Sequence, residues 1–354
     1  MIIKSLSCRN FRNIEKTEIY PDGKMNVICG DNAQGKTNII EAIWLFTGAK
    51  SFRTNKDSEL LKFGEKKGEI EINYISGGIE NTAKIEITDK KTAFFNGKKI
   101  GGAASLAGKF KAFIFSPDDL SIVKAGPSVR RKFLNTAIGQ LYPSYISLLK
   151  DYNRAVLQRN HIIKDFKYDG SLSVMLDVFE KELEEKGEKI VHTRKRFIKV
   201  IEEFLPEIYK GISSGKEKLE IKYNCSFEGE KLSELLKKRR SENMYTGTTD
   251  VGPHRDDLEF FINGSDVRSF GSQGQMRSVA LSLKLAEGEV INKISGEYPV
   301  CLLDDVMSEL DPARQNYILN HISERQSFLT CCDPTNTENL KQGKIFTVKK
   351  GDVI

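Results

Sequence analysis

Gly30-Asp31-Asn32-Ala33-Gln34-Gly35-Lys36-Thr37 constrains this chain more than any other stretch. Its spacing, G-x-x-x-x-G-K-T, is that of a phosphate-binding loop. Successive backbone N–H groups cradle phosphate oxygens, Lys36 neutralises the β and γ charges, and the Thr37 hydroxyl ligates magnesium. Such a loop works at the start of a helix, whose positive dipole end faces the anion. Both flanks agree: Met25-Asn26-Val27-Ile28-Cys29 is a short apolar run suited to a buried strand, and 37–46 reads as the helix. A strand, loop and helix in this order imply an α/β fold.

The rest of the chain fits around that unit. Short β-rich segments at 2–8, 14–19, 27–29, 69–75, 83–87 and 92–95 dominate the first part, with hairpin turns expected at Gly77-Gly78 and Asn96-Gly97. After Ser116-Pro117-Asp118-Asp119 the character changes, and 129–141, 145–166 and 172–204 read as helices. Leu176, Phe179, Leu183, Ile190, Phe197, Ile201 and Phe204 form an apolar stripe along the last, which at about 1.5 Å per residue would be about 50 Å long. From about 245 strands and loops return. An amphipathic helix at 273–292, a buried strand at 299–303, a helix at 312–322 and strands at 327–331 and 344–349 make the alternation of a mostly parallel sheet. The expected organisation is a discontinuous sheet-forming domain, 1–116 with 246–354, around a mainly helical insert, 117–245.

Composition removes several classes of function. No apolar stretch approaches the roughly 18 residues that span a bilayer, and charge at Lys4 and Arg9 comes too early for a secretory leader, so a cytoplasmic protein is expected. Cys8, Cys29, Cys301 and Cys331 lie in strand-like runs where a thiol acts as a small hydrophobe. His161, His192, His254 and His321 are too dispersed for a zinc spacing. The formal charge of +6 permits a polyanionic partner without requiring one. Basic runs at Arg130-Arg131-Lys132, Arg194-Lys195-Arg196 and Lys237-Lys238-Arg239-Arg240 matter only if they converge on one surface.

A second half of the site is visible far downstream. Val300-Cys301-Leu302-Leu303-Asp304-Asp305 is an apolar strand ending in two carboxylates, which places acids at the carboxyl end of a parallel sheet, where nucleotides bind. Asp304 is the candidate to hold magnesium, through water, and Asp305 the candidate to polarise the attacking water. Lys36, Asp304 and Asp305 are thus the expected catalytic residues, with Thr37 and Asp304 on the metal.

Ser272-Gln273-Gly274-Gln275 opens a helix before these acids, and Ser308-Glu309-Leu310-Asp311 follows them. The order loop, signature, acid pair and S-x-L-D turn resembles the ABC-type ATPases. The resemblance implies that Ser272, Gly274 and Gln275 of one chain cap the γ-phosphate held by Gly30 to Asn38 of another. Gln273 and Asp311 would then lie in the dimer seam. Within that superfamily the chain resembles, end to end, the RecF family of bacterial recombination-repair proteins. Asn10-Phe11-Arg12-Asn13, the N-I-I-E-A run from Asn38 to Ala42, Phe115 to Leu120, Pro127 to Arg131, Gln158-Arg159-Asn160 and Gly252-Pro253-His254-Arg255-Asp256-Asp257-Leu258 carry that likeness. It implies an SMC-like P-loop ATPase head with a mixed β-sheet, and ATP and magnesium as cofactors. It also implies an ATP-dependent homodimer on double-stranded DNA near gaps, cooperating with RecR and RecO to place RecA on single strands. Arg12 sits where SMC-like proteins approach the nucleotide phosphates. The DNA-contact candidates on the insert are Arg130, Arg131, Arg194, Lys195 and Arg196.

Two departures bear on mechanism. Asp305 stands where transport ATPases carry Glu, one methylene longer, so slow hydrolysis with ATP as a timer is expected. No glutamine lever lies between the nucleotide motifs, and Asp118 or Asp119 is the candidate substitute. His254 and Arg255 face ligand or DNA, or simply form a turn. Two rival readings remain at this level: the nucleotide-binding subunit of a membrane transporter, and a non-hydrolysing nucleotide-dependent scaffold. The 234 positions between Thr37 and Ser272, much of them helical, weigh against the first. The intact Lys36, Thr37, Asp304 and Asp305 weigh against the second.

Overall fold

The computed structural model describes residues 1–166, 170–215, 217–332 and 343–353. Two strands, β1 (Ile2–Phe11) and β2 (Ile14–Ile19), lead to β3 (Met25–Cys29) and helix α1 (Lys36–Leu45). Strands β4 (Gly68–Ser76), β5 (Ile79–Ile87), β6 (Lys91–Phe95), β7 (Lys98–Gly101) and β8 (Ala112–Phe115) follow. Four helices come next: α2 (Ser121–Lys124), α3 (Pro127–Leu141), α4 (Pro143–Phe166) and α5 (Ser173–Ile212). Then come β9 (Leu219–Asn224), α6 (Leu232–Lys238), α7 (Arg240–Thr246), β10 (Asp257–Ile262), β11 (Ser265–Asp266), α8 (Val267–Phe270) and α9 (Gln273–Ser295). The chain closes with β12 (Val300–Leu303), α10 (Pro312–His321), β13 (Ser327–Cys331), β14 (Lys344–Lys349) and β15 (Asp352–Val353).

Two units result, Met1–Leu120 with Glu207–Lys216 and Ala280–Ile354, and Ser121–Pro206 with Glu217–Val279. The second unit extends beyond the expected 117–245, because β9 pairs antiparallel with β10, and β10 with β11, in a small sheet built from both sides of residue 246. Strand β9 lies inside the span expected to be mainly helical.

The first unit contains two six-stranded sheets. In the nucleotide-site sheet, ordered β15-β14-β3-β13-β12-β8, every pairing except β14 with β15 is parallel. Its central strands β3, β12 and β13 are buried throughout and mostly apolar because both faces are covered, as in parallel sheets generally. The other sheet, β2-β1-β4-β5-β6-β7, is antiparallel, and its β4 alternates buried Ile70, Ile72 and Tyr74 with more exposed neighbours. Ile39, Ile40, Ile43 and Phe46 of and beside α1 pack into one core with residues of both sheets. Gly77-Gly78 and Asn96-Gly97 occupy the two hairpin turns with positive φ, as expected. Cys8, Cys29, Cys301 and Cys331 are buried, and burial pushes the Cys8 and Cys301 thiols up to about 12. No helix among the described residues is long and apolar enough to cross a membrane.

Candidate nucleotide site

The cradle follows from local backbone demands. β3 ends at Cys29, and the chain turns through Gly30 at φ 151° and Gly35 at φ 120° before α1 begins. A Cβ at Gly30 would lie 2.3 Å from the Val348 carbonyl oxygen, and one at Gly35 2.7 Å from Asn13 Oδ1, so both positions need glycine on conformational and spatial grounds. Asn13 fastens the loop, donating to the Gln34 carbonyl at 3.0 Å and accepting from Asn38 Nδ2 at 2.7 Å. The Gln34 amide oxygen accepts from Lys350 N at 2.5 Å, so this side chain holds the loop to the turn between β14 and β15. Lys36 lies across the loop, its ammonium donating to the carbonyls of Gly30 at 2.6 Å and Asp31 at 3.0 Å, with Cys332 Sγ at 3.4 Å. Cys332 in turn donates to Asn32 Oδ1 at 3.1 Å.

Parallel pairing of β12 with β13 brings the acids to the same edge. Thr37 Oγ1 and Thr330 Oγ1 each donate to Asp304 Oδ1 at 2.9 Å, and Asp305 N donates to Thr330 Oγ1 at 2.8 Å. Asp304 is buried, and desolvation raises its pKa against the pull of the two hydroxyls. A buried carboxylate and a threonine hydroxyl form an all-oxygen donor set that suits a small hard cation. Asp305 has φ 52° and an exposed side chain that accepts from Ser308 Oγ at 3.3 Å. For a residue other than glycine this backbone is uncommon, and such conformations cluster at functional sites.

Arg12 is held close to the loop helix but is not free. Its guanidinium binds both carboxylate oxygens of the fully buried Glu41, at 2.9 and 2.6 Å, and donates to the Glu59 carbonyl at 2.7 Å. Arg53 adds a second cation, with Nη1 2.6 Å from Asn38 Oδ1 and 3.3 Å from Glu41 Oε2. Its charge also opposes, as a smaller effect, the rise that burial imposes on the Asp304 pKa. Asn13, Glu41, Arg53 and Thr330 were not assigned roles from the sequence. Asn13 and Glu41 belong to the runs Asn10 to Asn13 and Asn38 to Ala42, whereas Arg53 and Thr330 carry no local signal.

The signature is a capped helix start. Ser272 N donates to Gln275 Oε1 at 2.7 Å while Gln275 N donates to Ser272 Oγ at 3.2 Å, a reciprocal box at the N-terminus of α9. Gln275 Nε2 reaches Glu217 Oε1 at 2.7 Å, and Ser272 and Gln273 are exposed. Asp311 caps α10 through Arg314 N at 3.0 Å. Of the two candidate lever residues, Asp118 is exposed, whereas Asp119 accepts from Ser116 N at 2.8 Å and Ser116 Oγ at 3.1 Å.

The insert arginines require correction. Arg130 is buried, with Nε and Nη2 2.6 and 2.9 Å from the Asp257 carboxylate, so it does not present a charge to DNA. Arg194 is buried likewise, donating to the Pro253 carbonyl at 2.6 Å and Asn135 Oδ1 at 3.0 Å beside Asp256 at 3.4 Å. Arg131 is half-buried and donates to the Asp256 carbonyl at 2.8 Å. Only Lys195 and Arg196 of the five are exposed, and Lys195 meets Glu228 at 2.7 Å. The run Lys237 to Arg240 is matched by Asp177, Glu230, Asp250 and Glu180. Desolvation penalises an unpaired buried cation, which is why the buried Arg130 and Arg194 sit against Asp257 and Asp256.

The 252–258 motif has a structural role. Tyr152 OH lies 2.8 Å from His254 Nδ1, and His254 Nε2 lies 3.0 Å from the Thr249 carbonyl, which assigns Nε2 as the protonated nitrogen. Burial lowers the His254 pKa to about 4. Arg159 and Asn160 converge on Thr249 from the other side, each 2.9 and 2.7 Å from its hydroxyl. Two motifs distant in sequence thus share one polar network around buried Thr249 and Arg159, and exposed Arg255 joins it through the Thr249 carbonyl at 3.0 Å.

A family model described as RecF/RecN/SMC N terminal domain matches residues 2–351. The DNA replication and repair protein RecF of Agathobacter rectalis is 41% identical over 357 residues, covering 100% of this chain and 99% of that protein. The chain belongs to the RecF family. The RecF of Bacillus cereus strain B4264 is 40% identical, covering 100% of this chain and 98% of its own. A solved RecF, described as the recombination mediator protein RecF-ATP in the RecFOR pathway, superimposes with a TM-score of 0.92 at 36% identity, covering 100% and 97%. An SmcHead bound to the C-winged helix domain of ScpA gives a TM-score of 0.60 at 16% identity, a likeness of fold alone. The chain is accordingly a RecF-family DNA replication and repair protein with the fold of the SMC-type ATPases.

Proposed function

We propose that this RecF-family chain is an ATP-driven switch whose working form is a pair of copies on DNA. One copy cradles the triphosphate through Gly30 to Asn38, and the other caps it through Ser272, Gly274 and Gln275. The observation that carries this reading is the convergence of Lys36, Thr37, Asp304 and Thr330 at one edge of the parallel sheet. Thr37 and Asp304 would hold magnesium, which when bound neutralises charge on the β and γ phosphates. Lys36 exchanges its two loop carbonyls for phosphate oxygens. Asp305 orients water, and its short side chain, engaged by Ser308, supports slow turnover. Arg12 and Arg53, both anchored on Glu41, supply positive charge beside the loop.

Exposed residues of α5 offer the contact to a polyanion. Lys189, His192, Lys195, Arg196 and Lys199 lie at three- and four-residue spacing along α5 and are all exposed. Contacts of this kind read the phosphate backbone without sequence preference. RecR, RecO and RecA are the partners that the family resemblance implies, acting near single-strand gaps. Sedimentation of the protein with ATP, magnesium and a gapped duplex tests the whole reading. Lys36→Met is expected to abolish ATP-driven pairing and Asp305→Asn to prolong it. Indifference in both would favour a scaffold that never hydrolyses its nucleotide.

A further inference from the structure

Two buried thiols touch beneath the cradle, and the nucleotide chemistry uses neither. Cys29 ends β3 and Cys331 ends β13; the strands are parallel neighbours, and these two residues are register partners. Neighbouring strands lie about 4.8 Å apart, inside the roughly 4.4–6.8 Å range of Cα separations that a disulfide spans. Both residues are free thiols, and their Sγ atoms are 2.9 Å apart, closer than two unbonded sulfurs sit at van der Waals contact. Each is one residue from a contact that aims Lys36. Cys29 precedes Gly30, whose carbonyl accepts from Lys36 Nζ at 2.6 Å and which has no room toward Val348. Cys331 precedes Cys332, whose Sγ lies 3.4 Å from Lys36 Nζ and donates to Asn32 Oδ1 at 3.1 Å. Cys331 is the more open of the pair, 9% exposed against 3%. Burial and its neighbour Cys29 push its thiol up, while the Lys36 charge pulls the other way and favours the thiolate. Where glutathione keeps thiols reduced, the disulfides that do form are mostly transient and redox-sensing or catalytic.

We propose that Cys29 and Cys331 are an oxidation site built into the nucleotide cradle, at which hydrogen peroxide closes a reversible disulfide that weakens ATP binding. The Cys331 sulfur attacks peroxide, the O–O bond breaks, and a sulfenic acid forms with loss of hydroxide. The Cys29 sulfur then displaces hydroxide from that sulfenic acid, and the two thiol protons carry both hydroxides off as water. Two thiols and one peroxide thus become one disulfide and two waters. Drawing the sulfurs from 2.9 Å to about 2.05 Å pulls the strand ends together at the residues that hold Lys36. Misaiming that charged contact to phosphate raises the ATP dissociation constant about tenfold. The weakening rests on the proposed nucleotide site, whereas the disulfide does not.

The test treats the reduced full chain with hydrogen peroxide, maps cross-links by mass spectrometry without reductant, and measures fluorescent-ATP binding before and after. Trypsin places Cys29 in the peptide 25–36 and Cys331 with Cys332 in 326–341, so Cys332→Ala assigns the partner sulfur. The expected result, in wild type and in Cys332→Ala alike, is a cross-link between these peptides and binding about tenfold weaker than in the same protein reduced. Dithiothreitol should restore it. Cys29→Ala and Cys331→Ala should each keep their own reduced affinity under peroxide. A Cys332→Ala chain that forms no cross-link would overturn the proposal by moving the chemistry to the exposed thiol. A cross-link that leaves ATP affinity unchanged would overturn the effect on the cradle. A reduced wild type that binds no ATP would sink the nucleotide-site reading and the weakening with it, while the cross-link map still decides the oxidation site.

Discussion

Replacing Arg194 with Ala separates two readings of the basic run 194–196. As a DNA contact, Arg194 would cost little stability, and its loss would lower the salt slope of DNA affinity by about 0.9. The structure instead leaves its guanidinium about 1% exposed, shared among Asp256, the Pro253 carbonyl, Asn135 and the Tyr145 hydroxyl. Removing it leaves the Asp256 carboxylate, itself about 1% exposed, with hydrogen bonds from Ser226 N at 2.8 Å and the Tyr223 hydroxyl. Breaking a buried ion pair from one side costs about 3–5 kcal/mol. Urea unfolding followed by far-UV circular dichroism, which the helices α3 to α5 dominate, should show that loss, with the salt slope of the surviving folded protein unchanged. Asp256→Asn should cost less and should couple strongly to Arg194→Ala in a double-mutant cycle. Stability within about 1 kcal/mol of wild type, together with weaker DNA binding, would refute the reasoning.

Three further expectations follow from the site and its surroundings. Thr330→Val strands Asp305 N and removes a donor to Asp304, so it should cost about 1–3 kcal/mol in urea unfolding and weaken magnesium-dependent ATP binding, while Thr330→Ser restores both. Gly30→Ala forces a Cβ to within 2.3 Å of the Val348 carbonyl, which as backbone cannot swing aside; nucleotide affinity should collapse, and normal binding would contradict the cradle geometry. His254 is kept neutral by burial, with a folded pKa of about 4 against the ordinary 6.5. Because the unfolded chain accepts the proton first, the stability is full above 6.5, is lost as pH falls toward 4, and amounts to roughly 3 kcal/mol. A His254→Gln variant should lack that part of the acid loss, and identical pH profiles would dismiss it.

Much of the site was legible because its chemistry is local. The loop from Gly30 to Thr37 needs a strand before it and a helix after it, and both appear within two residues of their expected bounds. The hairpin turns at Gly77-Gly78 and Asn96-Gly97 were legible for the same reason, since positive φ selects those residue types. The reading of α5 failed at its end. Proline signals a stop, yet the helix runs through Pro206 to Ile212. The i−4 partner of the missing donor is Glu202, on an exposed part of the helix where water can serve its carbonyl, while Leu205, Ile208, Tyr209 and Ile212 are buried. Packing outweighed the lost hydrogen bond.

Sequence alone therefore determined what depends on neighbours along the chain: the cradle, the acid-tipped strand, the helix opened by the signature and the family. Tertiary structure decided which charges meet across the fold. It buried Arg130 and Arg194 against Asp257 and Asp256, set Arg12 and Arg53 on Glu41, and left Lys195, Arg196 and Phe270 in water. The physical reason is that backbone conformation is selected by a few adjacent side chains. The fate of a charge or an aromatic ring depends on desolvation, and desolvation is set by elements scores of residues away.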